Sequence, residues 1–353
     1  MKKIIHIVGN RPQFIKLAVL YKTLQQTAAF PQEIWHTGQH FSYEMNELFF
    51  KQLHIQAPHV NFQIQHASPN QFIGLAADAI QEKLAKEKDA VLMLYGDTNS
   101  TLAGALAAQR TNTPIVHFEA GVRTADKSMP EEINRVLTDR LAEVNYCCTQ
   151  QNLDQLKAEG FGKSITCETL YTGDLMLDAF LQIPAATAPT KLPKNYMLCT
   201  IHRAANLEDP KKLGNIIDAF NALHAEMPVV MPMHPHTQKK ITSFGLMPQF
   251  VMLPPIGYPE MKQLLGDASL IITDSGGASR EAYFIKKRSV IIMDHPFWPE
   301  IIDAGCSLRA DADSSIIKAV VKSTTLLQPN FETAIFGDGN AAKNISEHLQ
   351  NYF

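Results

Sequence analysis

The chain has 353 residues and a net charge of −3, with 45% hydrophobic and 19% charged residues. The composition is that of an ordinary globular protein, and the length exceeds what one hydrophobic core usually supports, so two domains are expected. The charge gives no reason to expect a nucleic-acid partner, and no apolar stretch approaches the roughly 18 residues of a membrane span.

Short apolar runs alternate with longer amphipathic segments, a pattern typical of parallel sheets. In the first half of the chain the pattern predicts, in order, strand 3–8, helix 11–27, strand 33–37, helix 42–53, helix 70–88, strand 90–95, helix 98–110, strand 114–118, helix 131–143, strand 145–148 and helix 150–159.

A proline-rich segment without periodicity, 181–193, interrupts this pattern and is typical of a linker. After it the pattern predicts strand 195–201, helix 210–226, strand 228–233, helix 236–243, strand 250–253, helix 259–266, strand 269–273, helix 277–286, strand 288–293 and helix 298–304. An amphipathic helix over 340–353 ends the chain. The fold class is therefore α/β with two doubly wound, Rossmann-like domains, which we place at 1–175 with 340–353, and at 176–339.

Polar residues follow five of the predicted strands, in the segments GNRP, YGDT, HFEAG, HR and DSGG. In open α/β sheets, ligands bind at the carboxyl ends of the strands. The five segments therefore predict one polar cleft that contains both acid–base groups and anion-binding groups.

Two carboxylates stand out in the first domain. Asp97 precedes a helix, and capping that helix is the commonest role of such an Asp, with a function in the site as the other explanation. Glu119 directly follows a buried strand, where burial is expected to raise the pKa of a carboxyl group.

Glu131, Asn134 and Arg135 share one face of the helix that begins after Met129. This face suits a cleft wall, and it suits an exposed intrahelical ion pair equally well. At the first strand–helix junction, Arg11 is placed to bind an anion, whereas Lys16 can be explained as a solvated lysine.

The segment from Asp274 to Glu281 combines small residues with a helix start, which favours phosphate binding. No GxGxxG or GxxxxGK[ST] motif is present. The 13 His include no HExxH motif or compact ligand spacing, so no metal is predicted. We interpret His202 as a phosphate or acid–base group and His234 as structural. The 5 Cys contain no CxxC pair and are expected to be buried, reduced thiols of a cytoplasmic protein.

Ten segments, in order, resemble the non-hydrolysing UDP-N-acetylglucosamine 2-epimerase family: GNRPQFIK, HTGQH, YGDTNSTLAGALAA, HFEAGVRT, MPEEINRVLTD, TGDLMLDA, IHRAAN, MHPHT, TDSGG and FGDG. The N-terminal segments resemble most closely a branch that acts on UDP-2,3-diacetamido-2,3-dideoxyglucuronic acid. The resemblance implies a fold like that of GT-B glycosyltransferases, with UDP between the domains, a last helix that returns to the first domain, and a homodimer.

The resemblance further implies epimerisation at C2 of UDP-N-acetylglucosamine, by proton abstraction with elimination and re-addition of UDP, without a cofactor. Motif matching gives Asp97, Glu119 and Glu131 as acid–base candidates. Cationic and UDP-binding roles fall to Arg11, Lys16, Arg135, His202 and Arg203. Ser275, Gly276 and Gly277 would hold phosphate, and Glu281 the ribose.

Two segments depart from the family pattern. Ala204 and Ala205 replace charged residues, and 293–297 replaces a run that usually contains Arg and Glu. The alternatives are the same reaction on the diacetamidoglucuronate nucleotide, a UDP-sugar-dependent glycosyltransferase, a hydrolysing 2-epimerase, and a nucleotide-sugar binding or regulatory protein that has lost catalysis.

Overall fold

A computed structural model describes residues 2–39, 50, 53, 55–65, 68–187 and 192–353. The chain divides into two compact units, Met1–Gln182 with Ile335–Phe353, and Ile183–Ala334. The helix predicted over 42–53 lies outside the described residues, apart from Phe50 and Leu53.

Within the described residues, the first unit contains a parallel sheet of seven strands in the order β3-β2-β1-β4-β5-β6-β7. The central strands are buried on both faces, as expected for a parallel sheet covered by helices. The strands are β1 (Lys3–Val8), β2 (Gln32–His36), β3 (Val60–Asn61), β4 (Ala90–Tyr95), β5 (Ile115–Phe118), β6 (Val144–Cys147) and β7 (Glu168–Tyr171).

The helices of this unit within the described residues are α1 (Arg11–Thr27), α2 (Pro69–Leu84), α3 (Asn99–Thr111), α4 (Pro130–Leu141), α5 (Gln150–Ala158), α6 (Leu175–Gln182) and α14 (Ala341–Tyr352). The last helix returns to the first unit and packs on α1 and α6, as the sequence predicts. Asp178 of α6 fixes its start by accepting hydrogen bonds from the backbone amides of Ala341 (3.1 Å) and Ala342 (2.7 Å).

In the second unit, the part of the chain that the structure describes contains a parallel sheet of six strands in the order β10-β9-β8-β11-β12-β13. The strands are β8 (Met197–Thr200), β9 (Val229–Pro232), β10 (Val251–Leu253), β11 (Leu270–Thr273), β12 (Ser289–Ile292) and β13 (Ser307–Ala310). The helices are α7 (Ala204–Leu207), α8 (Pro210–Glu226), α9 (Pro235–Ser243), α10 (Tyr258–Asp267), α11 (Gly276–Phe284), α12 (Pro299–Asp303) and α13 (Ser314–Ser323).

Both sheets reverse their strand order once, between β1 and β4 in the first unit and between β8 and β11 in the second. Such switch points leave crevices at the carboxyl ends of the strands, where ligands of α/β proteins bind. Each unit therefore offers a ligand crevice of its own.

The unit boundary falls after Gln182, within the predicted linker, whereas the boundary expected from the sequence lies after residue 175. The physical reason is that α6 packs on α1 and α14 of the first unit. The elements β3, β7, β13, α6, α7 and α13 are not among those that the sequence pattern predicts.

Candidate active site

Asp97 lies at the end of β4 and forms an ion pair with Arg135 of α4. It does not cap the following helix, because the N-cap is Thr98, whose side chain accepts a hydrogen bond from the Thr101 amide (3.3 Å). Helix capping is therefore the wrong explanation for Asp97. Its carboxylate is instead held by the guanidinium group of Arg135.

Arg135 is 1% exposed and also contacts Glu132 at 2.6 Å. Burial alone would lower its pKa, but the charges of Asp97 and Glu132 raise it above the ordinary value. The hypothesis of an exposed intrahelical pair is therefore wrong. Asn134 donates to the backbone oxygen of Asp97 (2.9 Å), and Glu131 is half-buried in the first turn of the helix.

Lys16 is buried at 4% exposure in α1 and forms an ion pair with Glu119. Its interpretation as a solvated lysine is therefore wrong. Glu119 follows β5 with a φ of +67°, a conformation that L-residues other than glycine adopt rarely and that concentrates at functional sites. The ammonium group also lies 3.6 Å from the position that a Cβ on Gly96 would occupy, so this pair is next to the Asp97 turn.

Lys16 and Glu119 line a small pocket with residues of β6, the start of α6 and α14. Within it, Glu119, Cys148 and Asp174 place one potential ligand atom each within 4.8 Å of one another. This donor set could hold a metal ion, although the ammonium of Lys16 already gives Glu119 a positive partner. Sequence spacing did not reveal the set, because its members follow three different strands.

Glu132 is a residue that sequence reasoning missed. Its carboxylate accepts hydrogen bonds from the amide and hydroxyl of Thr124 (3.0 Å each) and from the amide of Ala125 (3.1 Å). It thereby ties the loop after β5 to α4 and orients Arg135. The available signal was its i,i+3 spacing from Arg135.

His202 and Arg203 follow β8 in the second unit and are held by Asp274, which follows β11. The fully buried carboxylate accepts hydrogen bonds from the amides of His202 (3.0 Å) and Arg203 (2.9 Å) and from the side chain of Asn206 (3.1 Å). Asp274 therefore shapes the loop from within, and the exposed imidazole of His202 projects from it.

The start of α11 carries the predicted phosphate-binding residues. Ser275 is the N-cap, and its hydroxyl accepts from the Ala278 amide (3.3 Å). A Cβ on Gly276 would meet the ring of Phe297 at 2.8 Å, so only glycine fits there, whereas a Cβ on Gly277 would meet nothing closer than 3.6 Å.

The altered segment 293–297 ends on this turn. The guanidinium of Arg203 lies 4.5 Å from the ring centroid of Phe297, and the indole of Trp298 donates to the Gly276 oxygen (2.9 Å). An aromatic layer thus fixes Arg203 beside the helix start.

Glu281 lies one turn into α11, is 7% exposed and interacts electrostatically with Lys262 of α10. Burial lowers the pKa of Lys262, and Glu281 opposes that shift.

The structure thus groups the predicted residues by unit. Lys16, Glu119, Asp97 and Arg135 form two adjacent ion pairs in the first unit, where Arg11 begins α1 and is half-buried. His202, Arg203, Ser275, Gly276, Gly277 and Glu281 gather around β8 and β11 in the second. Carboxylates held by cations can transfer protons, and a helix start flanked by a cation can bind an anion. Among the described residues, no helix is both long and apolar enough to cross a membrane.

Two parallel-sheet α/β units that carry these sites place the chain in the class of two-domain proteins with a GT-B-like fold. The chain is similar to the crystal structure of Methanocaldococcus jannaschii UDP-GlcNAc 2-epimerase in complex with UDP-GlcNAc and UDP. The TM-score is 0.89 at 29% identity, covering 99% of each chain.

The chain belongs to the UDP-N-acetylglucosamine 2-epimerase family, whose model matches residues 22–350. It is 38% identical to UDP-2,3-diacetamido-2,3-dideoxy-D-glucuronate 2-epimerase of Pseudomonas aeruginosa, covering 98% of this chain and 99% of that protein. It is 33% identical to UDP-N-acetylglucosamine 2-epimerase of Methanococcus maripaludis, covering 98% and 97%. The resemblance recognised from the sequence motifs is therefore confirmed.

Proposed function

We propose that the protein is a non-hydrolysing 2-epimerase that interconverts UDP-N-acetylglucosamine and UDP-N-acetylmannosamine, for the synthesis of surface polysaccharide precursors. The observation that supports this most is the pairing of buried cations with carboxylates at neighbouring strand ends, Lys16 with Glu119 and Arg135 with Asp97. These pairs supply ionised carboxylates beside positive charge, which is what abstraction of a weakly acidic C2 proton requires.

The reaction balances without a redox partner. A carboxylate takes the C2 proton, the C1–O bond breaks, and UDP leaves with the bonding electrons, which produces a 2-acetamidoglucal. An acid then protonates the opposite face of C2, and UDP adds back to C1. Asp97, Glu119 and Glu131 are the proposed acid–base groups.

Charge that develops on the leaving diphosphate needs positive partners. We assign this role to Arg11, Lys16, Arg135, His202 and Arg203. Ser275, Gly276 and Gly277 at the start of α11 would hold phosphate, because a helix start favours negative charge. Glu281 would accept hydrogen bonds from the ribose hydroxyls.

The second candidate substrate is UDP-2,3-diacetamido-2,3-dideoxyglucuronate. The relative named for that substrate is 38% identical over nearly the whole chain, which favours it. The chemistry at C2 is the same, so the choice depends on groups that bind the rest of the sugar.

Other features support proposals for cellular location and assembly. The five cysteines are buried and free, as the sequence predicted, which supports a reducing, cytoplasmic location. Leu75, Leu106, Ile133 and Leu137 on α2, α3 and α4 are each at least 40% exposed. Since these helices are packed neighbours, we propose that this apolar surface joins a homodimer.

The test is proton NMR of the protein in D2O with UDP-N-acetylglucosamine, and separately with the diacetamidoglucuronate nucleotide, without acceptor. The 2-epimerase predicts the C2-deuterated epimer and deuterium in the remaining substrate. Release of free UDP with the free sugar would indicate a hydrolysing enzyme instead. Turnover only with an acceptor would indicate a glycosyltransferase, and no turnover of either nucleotide would favour a binding protein.

A further inference from the structure

His117 of β5 is completely buried, with both ring nitrogens engaged. Its Nδ1 lies 2.7 Å from Oδ1 of Asp139 in α4, and its Nε2 lies 2.7 Å from the backbone oxygen of Gly96. Neither His117 nor Asp139 belongs to the predicted set of site residues.

The contact with Gly96 determines which ring nitrogen of His117 carries a proton. A backbone oxygen can only accept, so Nε2 carries a proton. Asp139 accepts from the Gly121 amide (3.2 Å) and from Arg123 (2.7 Å). Burial alone would raise the pKa of Asp139, but the hydrogen bonds and charges of His117 and Arg123 hold it below the usual range.

Asp139 is therefore an ionised acceptor, and its contact with Nδ1 at 2.7 Å orients the imidazole ring. Other ionisable groups lie around the pair. Glu159 forms an ion pair with Arg123 (2.8 Å), and the thiols of Cys147 and Cys167 have pKa values raised by burial.

The hydrogen bond to the Gly96 oxygen connects His117 to the turn that carries Asp97. Gly96 has a φ of +63°, and its amide donates to the Phe118 oxygen (2.9 Å). Since the Gly96 oxygen is also hydrogen-bonded to His117, both the amide and the carbonyl group of Gly96 are held in place. Asp139 reaches the other loop as well, since the Gly121 amide lies two residues after Glu119.

We propose that His117, oriented by Asp139, is a positioning residue that fixes the Asp97 turn relative to the Glu119 loop. The role in catalysis depends on the proposed function, because it takes Asp97 and Glu119 as the acid–base groups. Small displacements of such groups cost about 10- to 100-fold in turnover.

The first test needs no substrate. With ¹⁵N-labelled histidine, the wild-type protein is expected to show one ring proton on Nε2 that exchanges slowly with solvent, because His117 is buried and this proton is bound by the Gly96 oxygen, and this signal disappears in His117→Gln. Rapid exchange of this proton, or its absence from Nε2, would overturn the proposal.

The second test compares turnover per folded molecule. His117→Leu removes both hydrogen bonds and is expected to lower kcat about 10- to 100-fold, with KM and UDP affinity changed less than threefold. His117→Gln retains a donor that reaches Gly96 and is expected to recover about tenfold of that loss. Glu159→Gln, which breaks only the outer pair with Arg123, serves as the matched control.

If His117→Leu and His117→Gln have the same kcat, whatever their stabilities, His117 has only a packing role and the proposal is overturned. If His117→Leu does not fold, the ratio of His117→Gln to wild type and the nitrogen spectrum still decide. If the wild type turns over neither nucleotide, the proposed function fails, and the spectrum tests the hydrogen bond between His117 and Gly96 independently.

Discussion

Lys16 and Glu119 form a buried ion pair that joins the first helix to the end of β5. The two residues are more than one hundred positions apart in the chain, and the parallel topology brings them together because α1 starts and β5 ends at the same edge of the sheet. Separating a buried pair leaves one charge without compensation, so the pair is sensitive to change on either side.

Replacing Lys16 by Met is expected to lower turnover by roughly two orders of magnitude, because Glu119 and the leaving diphosphate lose their nearby cation. Lys3→Met is the matched control. Lys3 also pairs with two glutamates, Glu33 and Glu87, but it begins β1 at the opposite edge of the sheet. The steady-state rate of epimer formation should be much lower for Lys16→Met than for Lys3→Met. Equal rates would show that Lys16 is not part of the active site.

The carboxylates themselves are expected to behave alike. Asp97→Asn, Glu119→Gln and Glu131→Gln should each cut turnover by roughly two orders of magnitude or more while the fold survives, as for loss of a general acid or base. Asp78→Asn on the exposed face of α2 controls for the change of charge. Near-normal turnover of all three variants, measured by deuterium incorporation at C2, would reject the assignment.

Gly121 is expected to tolerate no side chain. Its φ is +79°, and a Cβ would meet the backbone oxygen of Asn152 at 2.3 Å. Gly162 has a similar φ of +73° with nothing within 4 Å, so it isolates the backbone cost of about 1–2 kcal/mol. Gly121→Ala should therefore lower Tm clearly more than Gly162→Ala, and equal shifts in calorimetry would show that the loop relaxes around the new methyl group.

The central elements were predictable because buried parallel strands are continuous apolar runs, and the strand ends that carry Asp97, Glu119 and Asp274 followed from them. The strands β7 and β13 were missed because they are short and partly exposed. The helix α6 was partly absorbed into the predicted linker because its packing partner α14 lies far along the chain.

The interaction partners of the site residues were less predictable than the positions of these residues in the fold. Sequence spacing suggested Glu131 as the neighbour of Arg135 on the helix, and the structure shows ion pairs of Arg135 with Asp97 and Glu132 that spacing alone did not indicate. Helical spacing states which side chains share a face, whereas the register of β4 against β5 decides which carboxylate reaches that face. That register is a property of the whole sheet.

His6 is expected to make the protein less stable in mild acid. It is fully buried in β1, its Nδ1 contacts the Tyr95 hydroxyl (2.7 Å), and its Nε2 contacts the Gln32 side-chain oxygen (3.0 Å). Burial lowers the pKa of His6 to about 4, below the ordinary value of 6.5. The unfolded chain therefore binds more protons between these two values, and the free energy of unfolding falls as the pH falls through this window.

The loss is expected to reach about 3 kcal/mol at pH 4, from 1.36 kcal/mol for each pKa unit, and the full contribution is present above pH 6.5. His6→Gln keeps a polar side chain but cannot take up a proton, so its Tm should depend less on pH between 6.5 and 4 than that of the wild type. His295→Gln, at an exposed position, is the matched control and should retain the wild-type slope. Parallel Tm curves for wild type and His6→Gln would show that His6 does not contribute to the acid sensitivity.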